Sequence, residues 1–313
     1  MKLEQIHIPV LLKEVLEYLN LKPGDVVFDG TLGGAGHSLA ILKAIAPTGK
    51  LIAVDQDSQA VSTAARLFKD YRNVYLAKGN FADVKKIINS FNVSSLDGFL
   101  LDLGLSSFQI DRSGKGFSYI RNEKLDMRMD EDNPVSAFNI VNEYSSKKLK
   151  EIFFKFGEEK YSERIAENVI LWRKKKPVET TGELSEIIEK SIPAKEKFSK
   201  RGHPSKRIFQ AIRIEVNREL DNLEEAIDDG FEVLNKGGKM AIISYHSLED
   251  RIVKNKFINF SGKCICPADL PVCMCGAEKK AEILTRRVVK PTLAEIAENK
   301  RASSAKLRAI KKL

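Results

Sequence analysis

Apolar residues recur at helical spacing at Leu11, Leu12, Val15, Leu16 and Leu19, and the pattern stops at Lys22-Pro23-Gly24. This predicts a helix over residues 8–19. Val26-Val27-Phe28 is a short β-rich run that ends at Asp29-Gly30, and a glycine-rich loop follows. The pattern then predicts a helix over 38–46, a strand over 51–54 ending at Asp55, and a helix over 57–69. A third strand over 74–76, a helix over 84–91 and a fourth strand over 98–101 ending at Asp102 complete the run. Strands alternating with helices predict a parallel sheet covered on both faces, an α/β fold.

After Asp102 the alternation breaks. Residues 108–134 are polar and turn-rich, and 135–193 read as helical without a strand. A helix over 208–234, Gly237-Gly238 and a strand over 240–244 restore the alternation. Residues 283–289 and 307–310 predict a terminal hairpin. The simplest organisation is one discontinuous α/β domain, residues 1–109 and 206–313, interrupted by a helical insertion over 110–205.

Composition narrows the class. The chain has 313 residues, 43% of them hydrophobic, which supplies real cores and excludes wholesale disorder. Its net charge of +9 favours a polyanionic partner. The charge is local: residues 147–206 hold 16 Lys/Arg against 10 Asp/Glu, and residues 279–313 hold 11 against 3. No apolar run approaches the ~20 residues of a membrane span. The first residues lack an apolar signal core and include Glu4, so the expected location is the cytoplasm. The four cysteines, Cys264, Cys266, Cys273 and Cys275, form two C-x-C pairs. They are not the framework of a disulfide-stapled secreted domain. Four thiolates so close can hold zinc, or stand as free thiols in a surface loop.

The loop from Asp29 to His37 sits between the first strand and its helix. Its glycines allow a ligand close to the backbone, and the following helix start offers unpaired N–H groups. The G-x-G-x-x-G spacing of dinucleotide sites is absent, because the third glycine position after Gly34-Ala35-Gly36 is Leu39. A strand-end Asp29 repels a pyrophosphate and suits a cationic ligand such as S-adenosyl-L-methionine. Asp55, ending the second strand, is placed to accept ribose hydroxyls. The plainer reading is a glycine turn with two strand-end acids acting as helix caps.

The stretch His7 to His37, Leu100 to Ser107, Gly116-Phe117-Ser118 and Leu125 to Asp130 together resemble one family. So do Phe209 to Leu220, Ser244 to Arg251 and Ser304 to Arg308. It is that of the bacterial small-subunit rRNA cytosine-N4 methyltransferases (RsmH, or MraW). The resemblance implies a Rossmann-like class I methyltransferase sheet with an inserted helical domain that recognises RNA. It implies methyl transfer from S-adenosyl-L-methionine to N4 of a cytidine in 16S rRNA, in the P-site region of the small ribosomal subunit. It further implies cofactor contacts at Ala35, Gly36, His37, Asp55, Phe81, Asp102 and Gln109, and it carries no metal requirement. A homodimer is compatible with it.

The N4 amine is a poor nucleophile because its lone pair is delocalised into the ring. An acceptor beside it favours the tetrahedral nitrogen of the transition state. Asp102 is the candidate for that role, in addition to the cofactor contact that the resemblance implies. Related amino-methyltransferases carry an aromatic at the fourth place of a D-P-P-Y motif, where this chain has Leu105. Phe108 and Tyr245 are therefore candidates to stack on an extruded base. His246 is a candidate base, or a cap at the end of the fifth strand that orients Ser247 or a backbone carbonyl, and His37 is a packing or capping residue at the start of the helix after the glycine loop. Cytosine-C5 chemistry needs a cysteine near the fourth strand, and none lies there. For RNA contact the candidates are Arg173-Lys174-Lys175-Lys176, the loop from Lys200 to Lys206, and Asp126 to Met129. Helix-dipole complementation is the plain alternative for the first of these, and an internal Asp–Arg pair for the last. A nicotinamide-dependent oxidoreductase and a non-catalytic RNA-binding protein remain as competing classes.

Overall fold

The computed structural model describes residues 9–104, 114–193, 203–263, 274 and 278–313. By its contacts the chain divides into two compact units, Met1–Gly104 with Leu220–Leu313, and Leu105–Glu219.

The first unit is built on a seven-stranded sheet. In chain order its strands are β1 (Val26–Asp29), β2 (Lys50–Asp55), β3 (Val74–Lys78), β4 (Leu96–Asp102), β5 (Leu234–Ser244), β6 (Ala281–Ile283) and β7 (Lys306–Lys312). Their spatial order is β3-β2-β1-β4-β5-β7-β6. The first five are parallel, while β7 runs antiparallel to β5 and to β6. This is the Rossmann-like sheet that the resemblance implies, with the antiparallel β7 inserted between β5 and β6. The strand expected over 283–289 is displaced: β6 ends at Ile283, Val289 makes an isolated bridge to Leu307, and the chain between β6 and β7 includes a short helix, so the two strands are not joined as a hairpin.

Strand residues alternate between the two faces. Val27, Leu51, Ala53 and Leu100 pack with Val15 and Leu19 of α1 (Leu12–Leu19) and with Ile41 and Ile45 of α2 (Gly36–Ile45). Ala64 of α3 (Ser58–Leu67) joins that layer. Phe28, Ile52, Val54, Phe99 and Leu101 pack on the other face against Val84 and Ile88 of α4 (Val84–Ser90). Both faces are covered, so the strands read as continuous apolar runs.

In the second unit, apolar residues at helical spacing meet in a separate core. They come from α5 (Ala137–Glu143), α6 (Ser146–Lys155), α7 (Ser162–Arg173), α8 (Thr181–Ser191) and α9 (Pro204–Asn217). No strand occurs among its described residues. Helix α9 contributes Ile208, Phe209, Ala211 and Ile212 to this core, so the helical unit runs to Glu219 rather than ending at 205.

The helix expected over 208–234 is two helices. Arg218 takes a left-handed conformation (φ 49°) between α9 and α10 (Glu219–Val233). The Asn217 amide explains the stop: it donates to the carbonyls of Met127 and Arg213 and accepts the Met129 N–H, each at 2.8–2.9 Å. Helix α1 likewise starts late, because Leu11 is left-handed (φ 54°) and its N–H is held by Glu295 Oε1 at 2.7 Å. Two further helices complete the first unit, α11 (Ser247–Phe260) and α12 (Leu293–Glu298). No helix among the described residues is long and apolar enough to cross a membrane.

Phe28 and Phe99 stack with centroids 5.3 Å apart. Gly230 of α10 lies against that pair, where an added Cβ would come within 2.7 Å of the Phe99 ring. Alanine gains about 1 kcal/mol of helix propensity over glycine, but overpacking a core costs about 1–3 kcal/mol. Gly230→Ala is therefore expected to lower the urea midpoint, measured by circular dichroism. A raised midpoint would show that the ring has room to move.

Candidate functional site

Four strand ends meet at the carboxyl edge of the sheet: Asp29 of β1, Asp55 of β2, Asp102 of β4 and Ser244 of β5. The strand order reverses between β1 and β4, which is where open α/β sheets form their ligand crevice.

Asp29 is almost fully buried, and both of its oxygens serve the fold. Oδ1 accepts the Thr31 N–H at 3.1 Å and Oδ2 accepts the Ser38 hydroxyl at 2.6 Å, which ties the loop to α2. Burial pushes its carboxyl above the ordinary range, against the Ser38 bond and the nearby His37. Asp29 thus shapes the loop, and its oxygens are not left to face a cationic ligand as the sequence suggests.

The loop between β1 and α2 is held open by its backbone. Leu32 donates to Val54 O at 2.9 Å and Ala35 to Leu32 O at 2.7 Å. Gly33 and Ala35 both adopt left-handed backbones, at φ 46° and 61°. No side chain caps α2, so its first N–H groups are available to a ligand. Gly30 is demanded by packing: a Cβ there would lie 2.4 Å from Leu101 Cδ2 and 2.8 Å from Phe81 Cβ. Phe81 opens a single 3₁₀ turn after β3, which Asn80 caps through the Ala82 N–H.

Asp55 accepts the Gly33 N–H at 2.8 Å on Oδ2 and the Asp57 N–H at 2.9 Å on Oδ1. Each oxygen keeps a second lone pair, enough for two hydroxyl donors. Burial raises its pKa to about 6, although the two N–H donors oppose the shift.

Asp102 is gripped from two sides. Its N–H donates to the Thr31 hydroxyl at 2.7 Å, and its Oδ1 accepts the Tyr245 hydroxyl at 2.7 Å. Oδ2 faces His37 Nε2 at 3.6 Å. His37 is buried, and neither ring nitrogen makes a full hydrogen bond among the described residues. Burial disfavours its charged form, but Asp102, Asp29 and the Val10 carbonyl outweigh that and raise its pKa.

His246 is the N-cap of α11. Its Nδ1 accepts the Glu249 N–H at 3.4 Å, and its Nε2 lies 3.0 Å from Glu249 Oε1. In return Glu249 Oε2 accepts the N–H groups of Tyr245 at 2.7 Å and His246 at 3.2 Å. The lone pair that a base would use is committed to the helix start. Of the expected residues, the structure thus brings Ala35, Gly36, His37, Asp55, Phe81 and Asp102 to this edge of the sheet. Gln109, Phe108 and the four cysteines lie outside the described residues.

Sequence reasoning missed Thr31, Ser38 and Glu249. Thr and Ser near a strand end are too common to single out, and Glu249 stands in the sequence only as a member of the Ser244 to Arg251 block, with no sign that it would cap a helix with His246. In the helical unit, Arg128 forks onto Asp126 at 2.9 and 2.8 Å and also donates to the carbonyls of Glu131 and Asn133. Burial opposes ionisation of Asp126, yet Arg128 holds its pKa below the usual range. This pair is an internal brace. At the end of α7, Arg173 donates to Val141 O and Lys176 pairs with Glu183, while Lys174 and Lys175 are exposed.

Comparison with known proteins completes the picture. A protein of Clostridium botulinum (strain Loch Maree / Type A3) named "Ribosomal RNA small subunit methyltransferase H" is 48% identical over 98% of this chain and 99% of its own. A protein of that name from Finegoldia magna is 45% identical over 98% of both chains. Among solved structures, an rRNA methylase of Streptococcus thermophilus aligns over 97% of this chain and 92% of its own, with a TM-score of 0.40 and 11% identity. The MraW methylase family matches residues 4–313, and the chain therefore belongs to that family.

Proposed function

We propose that the protein is a 16S rRNA (cytosine-N4)-methyltransferase that uses S-adenosyl-L-methionine and acts on a cytidine in the P-site region of the small ribosomal subunit. The observation that carries this reading is the near end-to-end match to proteins named as small-subunit rRNA methyltransferases. The acceptor carboxylate at the end of β4 supports the amine chemistry.

The residues fit the donor. The uncapped start of α2 and the spare lone pairs of Asp55 are polar groups able to take a ligand, and the buried His37 ring lies beside them, 3.6 Å from Asp102. Gly33 to His37 would hold it along the loop, Asp55 at the ribose and Phe81 at the adenine. When bound, the donor supplies an electrophilic methyl group on a sulfonium. Asp102 Oδ2 accepts a hydrogen of the target amine and favours the tetrahedral nitrogen as positive charge develops there. The amine proton becomes acidic after transfer and leaves to water, so no strong base is needed beforehand. His246 stays out of proton transfer and holds the start of α11. Orientation supplies much of the acceleration, up to roughly 7–11 kcal/mol in the best cases.

RNA contact falls to the exposed cations of the helical unit and of the C-terminal segment, where Lys and Arg outnumber Asp and Glu. The exposed Lys174 and Lys175 at the end of α7 are suited to phosphates. Their affinity for RNA should fall as salt rises. The cytoplasm is the location this substrate requires.

Mass mapping of 16S rRNA from a strain lacking the protein tests the function. Loss of one N4-methyl mark is expected, restored by the parent gene; an unchanged pattern would remove the reading. A variant without its four cysteines should keep methyl transfer, whereas lost turnover with intact folding and donor affinity would point to C5 chemistry. For Asp55, the sign follows from the raised pKa. Below about pH 6 the carboxyl gains a proton and loses its charged acceptor, so donor affinity should fall on the acid side. Calorimetry should find Asp55→Asn at least about tenfold weaker at pH 8 and nearly flat between pH 5 and 8. A parent affinity that does not change across that interval would exclude Asp55 from the ribose contact.

A further inference from the structure

We propose that Tyr245 is a positioning residue for methyl transfer, setting the Asp102 carboxylate so that Oδ2 faces the target amine. The inference rests on the reading of Asp102 as the amine's acceptor, and it replaces the expectation that Tyr245 stacks on the base.

Three contacts define the place of Tyr245. Parallel pairing of β4 and β5 sets Asp102 opposite Ile243, and Leu103 N–H donates to Ile243 O at 3.0 Å. Tyr245 therefore leaves the sheet two residues beyond the level of Asp102. Its backbone is then fixed by Glu249, a buried carboxylate whose Oε2 accepts the Tyr245 N–H at 2.7 Å. Finally, its ring lies against Gly104, where an added Cβ would come within 2.8 Å of Cε2 and 3.0 Å of Cζ. A side chain at 104 would displace the ring.

So held, the phenol donates to Asp102 Oδ1 at 2.7 Å. A carboxylate at a strand end is otherwise free to turn about its last torsion, which has a broad two-fold profile. One donated hydrogen bond selects an orientation, and the Thr31 hydroxyl fixes the Asp102 backbone from the side of β1. Among the described residues Oδ2 makes no hydrogen bond, with His37 Nε2 at 3.6 Å. Beyond that ion-pair contact, Oδ2 keeps a lone pair that can accept from a substrate. Burial first, and then the Asp102 charge, raise the Tyr245 pKa, so the hydroxyl keeps the proton it donates. The ring, packed on Gly104 and tethered by its hydroxyl, is already committed and does not swing onto a base.

The test uses the full chain with small ribosomal subunits from a strain lacking the protein. Single-turnover transfer, S-adenosyl-L-methionine affinity by calorimetry, KM for subunits and thermal unfolding are measured for Tyr245→Phe, Asp102→Asn and Gly104→Ala. Tyr245→Phe removes only the hydroxyl. It should slow transfer about 10–100-fold, with donor affinity and KM within about twofold of the parent and unfolding unchanged. Gly104→Ala should slow transfer in the parent and add little in the Tyr245→Phe background, since both act through one contact. Tyr245→Phe at parental rate beside an impaired Asp102→Asn would overturn the role of Tyr245 and leave the Asp102 reading standing. Loss of donor affinity in step with rate would overturn it too, as would independent, multiplying effects of the two variants. Asp102→Asn at parental rate would instead sink the reading of Asp102 and this proposal with it.

Discussion

The hydrogen bond from the Asp102 N–H to the Thr31 hydroxyl ties the ends of β1 and β4 together at the point where strand order reverses. Everything at the carboxyl edge is referred to that joint. On one side the β1 loop turns through Gly30 to Gly36 and starts α2, and on the other β5 delivers Tyr245 and the capped start of α11. Separately, each element is ordinary; the joint brings a carboxylate, a phenol and a buried imidazole within a few ångströms of one another.

Buried charge at this edge is expensive, and the fold distributes it. Ser38 and Thr31 donate to Asp29 and offset part of the cost of burying its charge, and two backbone N–H groups do the same for Asp55, whose pKa burial still raises to about 6. Asp102 has Tyr245 on one oxygen and His37 3.6 Å from the other. Buried polar groups without full partners are costly, and functional sites are where proteins tolerate them. His37 is such a group: buried, without a full hydrogen bond among the described residues, and held beside the Asp102 carboxylate at 3.6 Å.

Capping carries function as well as helix stability. The box formed by His246 and Glu249 starts α11, and the same Glu249 oxygen holds the backbone of Tyr245. A histidine that invites a catalytic reading is thus used for architecture, and its neighbour in sequence stands closer to the chemistry. The helical unit shows the same economy, with the Asp126–Arg128 fork spent on bracing a loop and the cations at the end of α7 divided between internal partners and solvent.

Local pattern determined a good deal. Short continuous apolar runs marked β1 to β5, helical spacing marked the insertion, and strand-end acids with a glycine loop marked the ligand crevice, because these features depend on residues close together in the chain. The block motifs also carried the family. Tertiary structure alone decided the break at Arg218, which needs Asn217 to reach Met127 and Met129, and the late start of α1, which needs Glu295 from the far end of the chain. It alone assigned Tyr245 to Asp102 and His246 to Glu249, since strand register sets which side chains meet across a sheet and no spacing along one strand encodes its neighbour.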